Sequence, residues 1–75
     1  MADFDLDLTG VACPMNFVKT RLFLDKIASG DLLKVILDSG EPLESVSSSV
    51  QSEGHEIVET VKLSDSSYSL SIRKA

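Results

Sequence analysis

Residues 4–14 read FDLDLTGVACP, and this segment sets the architecture of the chain. Apolar and acidic residues alternate over its first five positions, which is typical of a short β-strand with one buried face. Gly10 then marks a turn. Pro14 suits the first position of a helix, because its φ is fixed and it lacks an N–H. The segment therefore predicts a strand, a tight loop and a helix that begins beside Cys13.

Cys13 is the only cysteine in the chain. Unpaired amides and roughly half a positive charge at a helix N-terminus favour thiolate over thiol, so we expect its pKa to lie below the ordinary value of about 8.5. Such a sulfur is a nucleophile, and the same donors would stabilise an added sulfur as a persulfide anion. We predict Cys13 as the reactive residue. The remaining motif positions around the helix start are Gly10, Pro14, Met15 and Asn16.

Three other roles for Cys13 can be weighed on residue content. Free cysteines are often small buried apolar residues. A thioredoxin-type dithiol needs a second cysteine three positions on, where this chain has Asn16. A Cys–His hydrolase needs His55 as its base, together with an orienting group and an oxyanion site. His55 follows Gly54 at a predicted helix end, where a local turn or cap role is more common.

Composition limits the class of protein. The 75 residues allow one domain, residues 1–75, with one modest core. One cysteine and one histidine cannot assemble the usual zinc ligand set, and we find no cofactor motif, so we predict neither metal nor cofactor. The start carries no apolar run long enough for a signal peptide or membrane span, and a free thiol suits the cytoplasm. The net charge of -5 argues against direct nucleic-acid binding and favours a basic protein partner.

The rest of the chain alternates between helix and strand patterns. Turn residues follow each of the apolar patterns, and the last two strands are predicted to pair as a hairpin. The order is βαβαββ, which predicts an α+β two-layer sandwich with a four-stranded mixed sheet and two helices on one face. After the first strand, the sequence predicts a helix over 14–29 that ends at Gly30 and a strand over 31–38 that ends at Ser39-Gly40-Glu41-Pro42. The second predicted helix contains Leu43, Val46 and Val50. The last two predicted strands contain Ile57, Val61 and Leu63 and then Tyr68, Leu70 and Ile72, with a turn over 64–67 between them.

The first predicted helix has apolar residues on two faces. At 100° per residue, the predicted sheet-facing side holds Phe17, Thr20, Leu24, Ile27 and Ala28. A second face remains, and we predict it as a docking surface for a partner that must reach Cys13. The alternative is a wide buried face, and the exposure of Val18 and Leu22 discriminates between the two. The predicted docking residues are Met15, Val18, Lys19, Arg21 and Leu22.

Residues 6–14, with Gly54-His55 and Ile72-Arg73-Lys74, resemble the small sulfur-carrier family that includes TusA and SirA. The resemblance covers nearly the whole chain and implies the same βαβαββ sandwich. It also implies that the cysteine of a Cys-Pro-x-Pro motif carries a persulfide. Sulfur would pass from a cysteine desulfurase or rhodanese-like donor to a thiol acceptor protein, in tRNA thiolation, cofactor biosynthesis or sulfur oxidation. Such a protein is a sulfurtransferase-type carrier, monomeric or weakly dimeric, rather than a turnover enzyme.

The chain departs from the family pattern at several positions. Asn16 replaces the second motif proline, Thr9 stands where many relatives have arginine, and Ser45-Val46 replaces a common Asp-Ile pair. Pro14 still supplies the helix-start geometry, while Asn16 adds an N–H and a polar side chain to the first turn. The alternative function is a non-catalytic regulatory or protein-interaction module, in which the cysteine is redox-sensing or incidental.

Overall fold

The computed structural model describes residues 2–12 and 15–75. The strands and helices follow one another in the order β-α-β-α-β-β, as predicted. The elements are β1 (Asp3–Asp7), α1 (Met15–Leu24), β2 (Leu32–Asp38), α2 (Glu41–Ser52), β3 (Glu56–Ser64) and β4 (Ser67–Arg73).

The four strands form one mixed sheet in the order β1-β2-β4-β3. β1 pairs with β2 in parallel, and β4 lies between β2 and β3, antiparallel to both. The predicted hairpin of β3 and β4 is therefore confirmed, as is the mixed sheet. β1 and β3 are its two edges.

The core lies between one face of this sheet and the two helices. Alternate residues of β2 and β4 are buried there, as the period-two pattern of a half-buried strand requires. Leu24 of α1, together with Val46 and Val50 of α2, covers them. The buried apolar residues are Leu8, Leu24, Ile27, Leu33, Val35, Leu37, Val46, Val50, Leu70 and Ile72.

The first helix is shorter than predicted. α1 ends at Leu24, and the next residues form tighter bonds, from Lys26 N–H to the Phe23 carbonyl (3.0 Å) and from Ile27 N–H to the Leu24 carbonyl (3.4 Å). Ile27 still reaches the core, but Ala28 is exposed, so its predicted place on the sheet-facing side is wrong.

The second helix begins earlier than its apolar residues suggest. Glu41 and Pro42, predicted as part of a break, form the first turn of α2. Proline is tolerated there because the first helical N–H groups have no partner inside the helix.

The apolar residues of β3 do not share one face, although their spacing suggests that they do. Ile57 lies opposite Ile72, but Glu59 lies opposite Ser71, so Val58 is an extra residue in this strand. A bulge of this kind shifts the alternation by one residue. Val61 consequently faces away from the helices and is exposed. Leu63 lies at a second such shift, between Lys62 and Ser64.

The Asp31 carboxylate organises the turn before β2. It accepts hydrogen bonds from the amides of Ala2 (3.1 Å) and Ala28 (3.0 Å). These two bonds are the main causes that hold the pKa of Asp31 below its ordinary value of 3.8. The ionised carboxylate is therefore better stabilised in the folded chain than in the unfolded one.

Replacing Asp31 by Asn should lower stability near neutral pH and flatten the acid dependence of unfolding. Because the folded pKa is depressed, this contribution is present above the unfolded pKa and is lost as pH falls through the folded one. The difference in urea midpoint between wild type and Asp31→Asn should therefore shrink from about pH 7 to about pH 3. Asp5→Asn, an exposed change on β1, is the control. A constant difference across this range contradicts the assignment.

Candidate functional site

The loop from β1 to α1 is anchored in the core at two points. Leu8 is buried, and its N–H donates to the Ile36 carbonyl at 2.9 Å. The N–H of Val11 donates to the Leu8 carbonyl at 3.1 Å, and the Val11 side chain packs against the core. The backbone just before Cys13 is thus tied to the sheet.

Two carboxylates hold the turn of this loop. Asp7 Oδ1 accepts from the Thr9 hydroxyl (2.6 Å) and from the Thr9 N–H (2.9 Å). The bond from the hydroxyl is the first cause that lowers the pKa of Asp7, followed by the bond from the amide. Asp38 Oδ2 accepts from the Gly10 N–H at 2.9 Å. Because β1 and β2 are parallel, both acids lie at the carboxyl ends of neighbouring strands and reach the same loop.

Gly10 has the backbone conformation that its residue type suggests. Its φ is 77°, in the left-handed region that is strained for other residues. Apart from its chain neighbours, a Cβ added to Gly10 would meet no atom of residues 2–12 and 15–75 within 4 Å, so backbone strain rather than crowding selects glycine. The predicted turn at Gly10 is confirmed.

Cys13 and Pro14 lie outside the described residues. The predictions that Cys13 caps the helix and that Pro14 occupies its first position therefore stay predictions. On either side of them, the N–H of Asn16 donates to the Ala12 carbonyl at 3.2 Å. This bond has the four-residue spacing of an α-helix and links the end of the loop to the start of α1.

Asn16 is completely buried, which the sequence does not reveal. Its Oδ1 accepts from the Phe17 N–H at 2.7 Å, and its carbonyl accepts from the Thr20 hydroxyl at 2.8 Å. Buried polar groups are tolerated when they are hydrogen-bonded. Asn16 is therefore a structural part of the first turn of α1, on the core side.

The second apolar face of α1 is exposed. Met15 is 49%, Val18 38% and Leu22 57% accessible to solvent. We call these three residues the α1 stripe. Lys19 is exposed beside them. The exposure of Val18 and Leu22 excludes the alternative of a wide buried face on α1. The docking role of the stripe stays a prediction.

Arg21 joins the two helices. Its Nε lies 3.5 Å from Glu53 Oε1 at the end of α2. Both side chains are partly exposed, so the pair contributes about 0–1 kcal/mol at most. The predicted partner-binding residue Arg21 is therefore engaged within the chain, at the far end of the stripe from Met15.

His55 lies at the opposite end of the sheet from the loop before Cys13. It directly precedes Glu56, which is level with Arg73, whereas the loop follows Asp7 at the other end of β1. Its Nδ1 accepts from the Ala75 N–H at 3.1 Å. This placement separates His55 from the loop before Cys13. It suits a local turn or cap role for His55 better than the role of a catalytic base.

Sequence reasoning missed Asp38 as a residue that positions the loop. An acidic residue at the end of each of two predicted parallel strands is a usable signal, but β1 and β2 must first be recognised as neighbours. The role of Asp7 in the loop was missed as well, since the alternation of β1 suggests only that Asp7 is a solvated side chain on an edge strand.

Residues 4–74 match the family described as Sulfurtransferase TusA. The match spans nearly all of the chain, including both helices and almost every strand residue. This chain belongs to the TusA sulfurtransferase family, which confirms the resemblance read from its motif.

Similar proteins bear out the same relationship. A chain named "Putative sulfur carrier protein" from Archaeoglobus fulgidus is 38% identical over 69 residues, covering 92% of this chain and 78% of the relative. "Putative sulfur carrier protein TsuB" from Escherichia coli is 27% identical over 70 residues, covering 93% of each. The crystal structure of a SirA-like protein from Desulfitobacterium hafniense superposes with a TM-score of 0.82 at 15% identity, covering 93% of this chain and 95% of that one, and so shares the fold.

The described part of the chain offers neither a membrane-crossing helix nor a metal-binding group. α1 and α2 both lack the length and apolar character needed to cross a membrane. Within residues 2–12 and 15–75, no three His, Cys, Asp or Glu side chains are grouped to hold a metal ion.

Replacing Asp38 by Asn should loosen the loop that leads to Cys13. The charge-assisted bond to the Gly10 amide weakens, so hydrogen exchange at that amide should accelerate by about tenfold, with no change at the core amide of Val35. Asp65→Asn removes an exposed carboxylate that pairs with Lys62 and serves as the matched control. Unchanged exchange at Gly10 in the Asp38 variant contradicts the positioning role.

Proposed function

We propose that this protein is a sulfur carrier in which Cys13 holds sulfane sulfur as a persulfide and passes it between proteins. The observation that carries the proposal is the family match over residues 4–74, which contains the only cysteine of the chain directly ahead of α1. The sulfur-carrier names of similar chains support it.

The transfer consists of two displacements at sulfur. The Cys13 thiolate attacks the terminal sulfur of a donor persulfide, so a new S–S bond forms, the donor S–S bond breaks, and the donor leaves as a thiolate. An acceptor thiolate then attacks the outer sulfur on Cys13 and releases the Cys13 thiolate. Each step conserves electrons, so the relay needs no oxidant or cofactor.

The described surroundings suit this chemistry. The hydrogen bonds that Asp7 and Asp38 accept from Thr9 and Gly10 hold the turn before Cys13, which would favour a defined approach of a partner. α1 begins two residues after Cys13, and amides at a helix start favour an anion. A thiolate and a persulfide anion would both gain from such donors.

The α1 stripe is the proposed docking surface for donor and acceptor. It begins at Met15, close in sequence to Cys13, and runs along an exposed helix face. The donor is a cysteine desulfurase or rhodanese-like protein, and the acceptor presents a thiol. Since both must reach the same sulfur, they would bind in turn. The carrier would act as a monomer or weak dimer in the cytoplasm, where a free thiol persists.

Incubation with a cysteine desulfurase and cysteine should add about 32 Da per sulfur atom to Cys13, detected by mass spectrometry of the intact protein. A Cys13→Ser variant should gain nothing. Wild-type protein that stays unmodified, also with inorganic polysulfide as donor, would favour a regulatory or interaction module instead.

Replacing Leu22 by Lys should slow loading by the desulfurase about tenfold, because a charge in the stripe removes apolar burial worth about 1.4 kcal/mol. Loading by polysulfide, which needs no docking, should be unchanged. Gln51→Lys adds the same charge on α2 and should leave both rates as in wild type. Equal rates for the Leu22 and Gln51 variants would exclude the stripe as the desulfurase docking surface.

A further inference from the structure

The sheet face opposite the helices carries an exposed apolar cluster. Val61 lies opposite Ser69, and Ser69 opposite Ile36, so these residues form one row across β3, β4 and β2. The bulge residues Val58 and Leu63 lie on either side of Val61 along β3. We call Ile36, Val58, Val61, Leu63 and Ser69 the open-face patch.

The open-face patch is a contiguous apolar surface with hollows, rather than a set of scattered surface residues. Val58, Val61 and Leu63 are 45%, 40% and 52% accessible. A hollow of about 200 Å³ is lined by Ile36, Val61, Leu63 and Ser69, together with Lys34 and Glu59. A neighbouring hollow of about 430 Å³ shares Lys34 and Glu59 and reaches Val58. The two hollows therefore lie side by side on this face.

A buried hydroxyl in the smaller hollow has no partner. Ser69 is 4% accessible, and its Oγ makes no hydrogen bond within the described residues. A buried polar group without a partner is destabilising, so a partner atom that hydrogen-bonds this hydroxyl would be favoured. This second observation, independent of the apolar side chains, also marks the patch as a binding surface.

The charges around the patch select the kind of partner. The two edge strands place five carboxylates on this face, whereas the bases of the described strands on the same face are Lys34 and Arg73. Arg73 is already paired with Glu56 at 3.3 Å. The face is therefore acidic beside its apolar cluster. Its carboxylates are Asp3, Asp5, Asp7, Glu56 and Glu59.

We propose that the open-face patch binds a cationic amphipathic helix of a partner protein. Backbone N–H and C=O groups point along the plane of a sheet, and its faces present side chains, so an occupant of this face binds through side chains, as a helix on a sheet face does. Its apolar side would cover Val61 and Leu63, and its Lys and Arg residues would reach the carboxylates of both edge strands. A second copy, nucleic acid and anionic lipid all carry charge of the wrong sign.

This surface lies on the opposite layer from the α1 stripe. A partner seated on it would leave α1 uncovered, so the protein could stay tethered while Cys13 exchanges sulfur. That consequence rests on the proposed function, but the docking itself does not, and its test involves no sulfur chemistry.

The probe is a synthetic peptide of Leu and Lys with all Leu residues on one helical face. At about 18 residues it would be about 27 Å long, which suits a molecule whose longest dimension is 31 Å. Fluorescence anisotropy gives its affinity, and amide chemical shifts locate it. The expected shifts lie on β2, β3 and β4, and binding should weaken as salt is raised.

Leu63→Lys should weaken binding by at least about tenfold, since it removes apolar contact and adds repulsion. Leu22→Lys is the matched control, the same change at a similarly exposed residue of α1, and should bind within about twofold of wild type. Ser69→Ala should weaken binding about threefold without lowering the stability of the free protein.

Four results would overturn the proposal. The first is that Leu63→Lys and Leu22→Lys weaken peptide binding equally, and the second is that the chemical-shift changes are confined to α1. The third is that a peptide with Glu in place of Lys binds equally well. The fourth is that the wild-type protein sediments as a dimer which Leu63→Lys dissociates. The last result would make a second copy the occupant. A Ser69→Ala variant that binds as tightly as wild type would remove the hydroxyl from the site.

Discussion

The pairing of β2 with β4 beneath the helices is the constraint on which the other features of the structure depend. Leu33, Val35 and Leu37 alternate with residues on the open face, and Leu70 and Ile72 oppose them from β4. A slip of one residue would expose the whole buried set, so burial fixes the register. The same register fixes the end of β2, where Asp38 meets the loop before Cys13. The register of the core thus places Asp7 and Asp38, whose carboxylates hold the loop before Cys13.

Most of the fold could be predicted from the sequence because local patterns and core packing agree. The alternation in β1 and β4, the apolar run of β2 and the glycines between elements all indicated the correct order. The end of α1 could not be predicted, since helical periodicity continues to Ile27. The residues after it are held by distant partners, because the Ala28 N–H donates to Asp31 and the Gly30 N–H donates to the Lys74 carbonyl. The bulge at Val58 was equally hidden, because only the register against β4 reveals an extra residue.

The candidate site was predictable in part. A cysteine before a proline at a strand–helix junction is a local signal, and so is the apolar stripe at helical spacing. Asp38 was not, because it acts on Gly10, which is 28 residues away in sequence and becomes a neighbour only through β1–β2 pairing. Asn16 looks like a surface polar residue in a first helical turn, and only the packing of α1 on the core shows that it is buried.

The molecule has two layers with different surfaces, an apolar stripe on α1 and an acidic sheet face with an exposed apolar cluster, and the proposed sulfur exchange concerns the first. The decisive measurement is mass spectrometry of Cys13 in protein taken from growing cells and alkylated at the moment of lysis. If Cys13 carries sulfur in the cell, a fraction of the protein has an additional sulfur between Cys13 and the alkyl group. Cys13 found solely as the alkylated thiol, in cells with active cysteine desulfurase, would contradict the sulfur-carrier role.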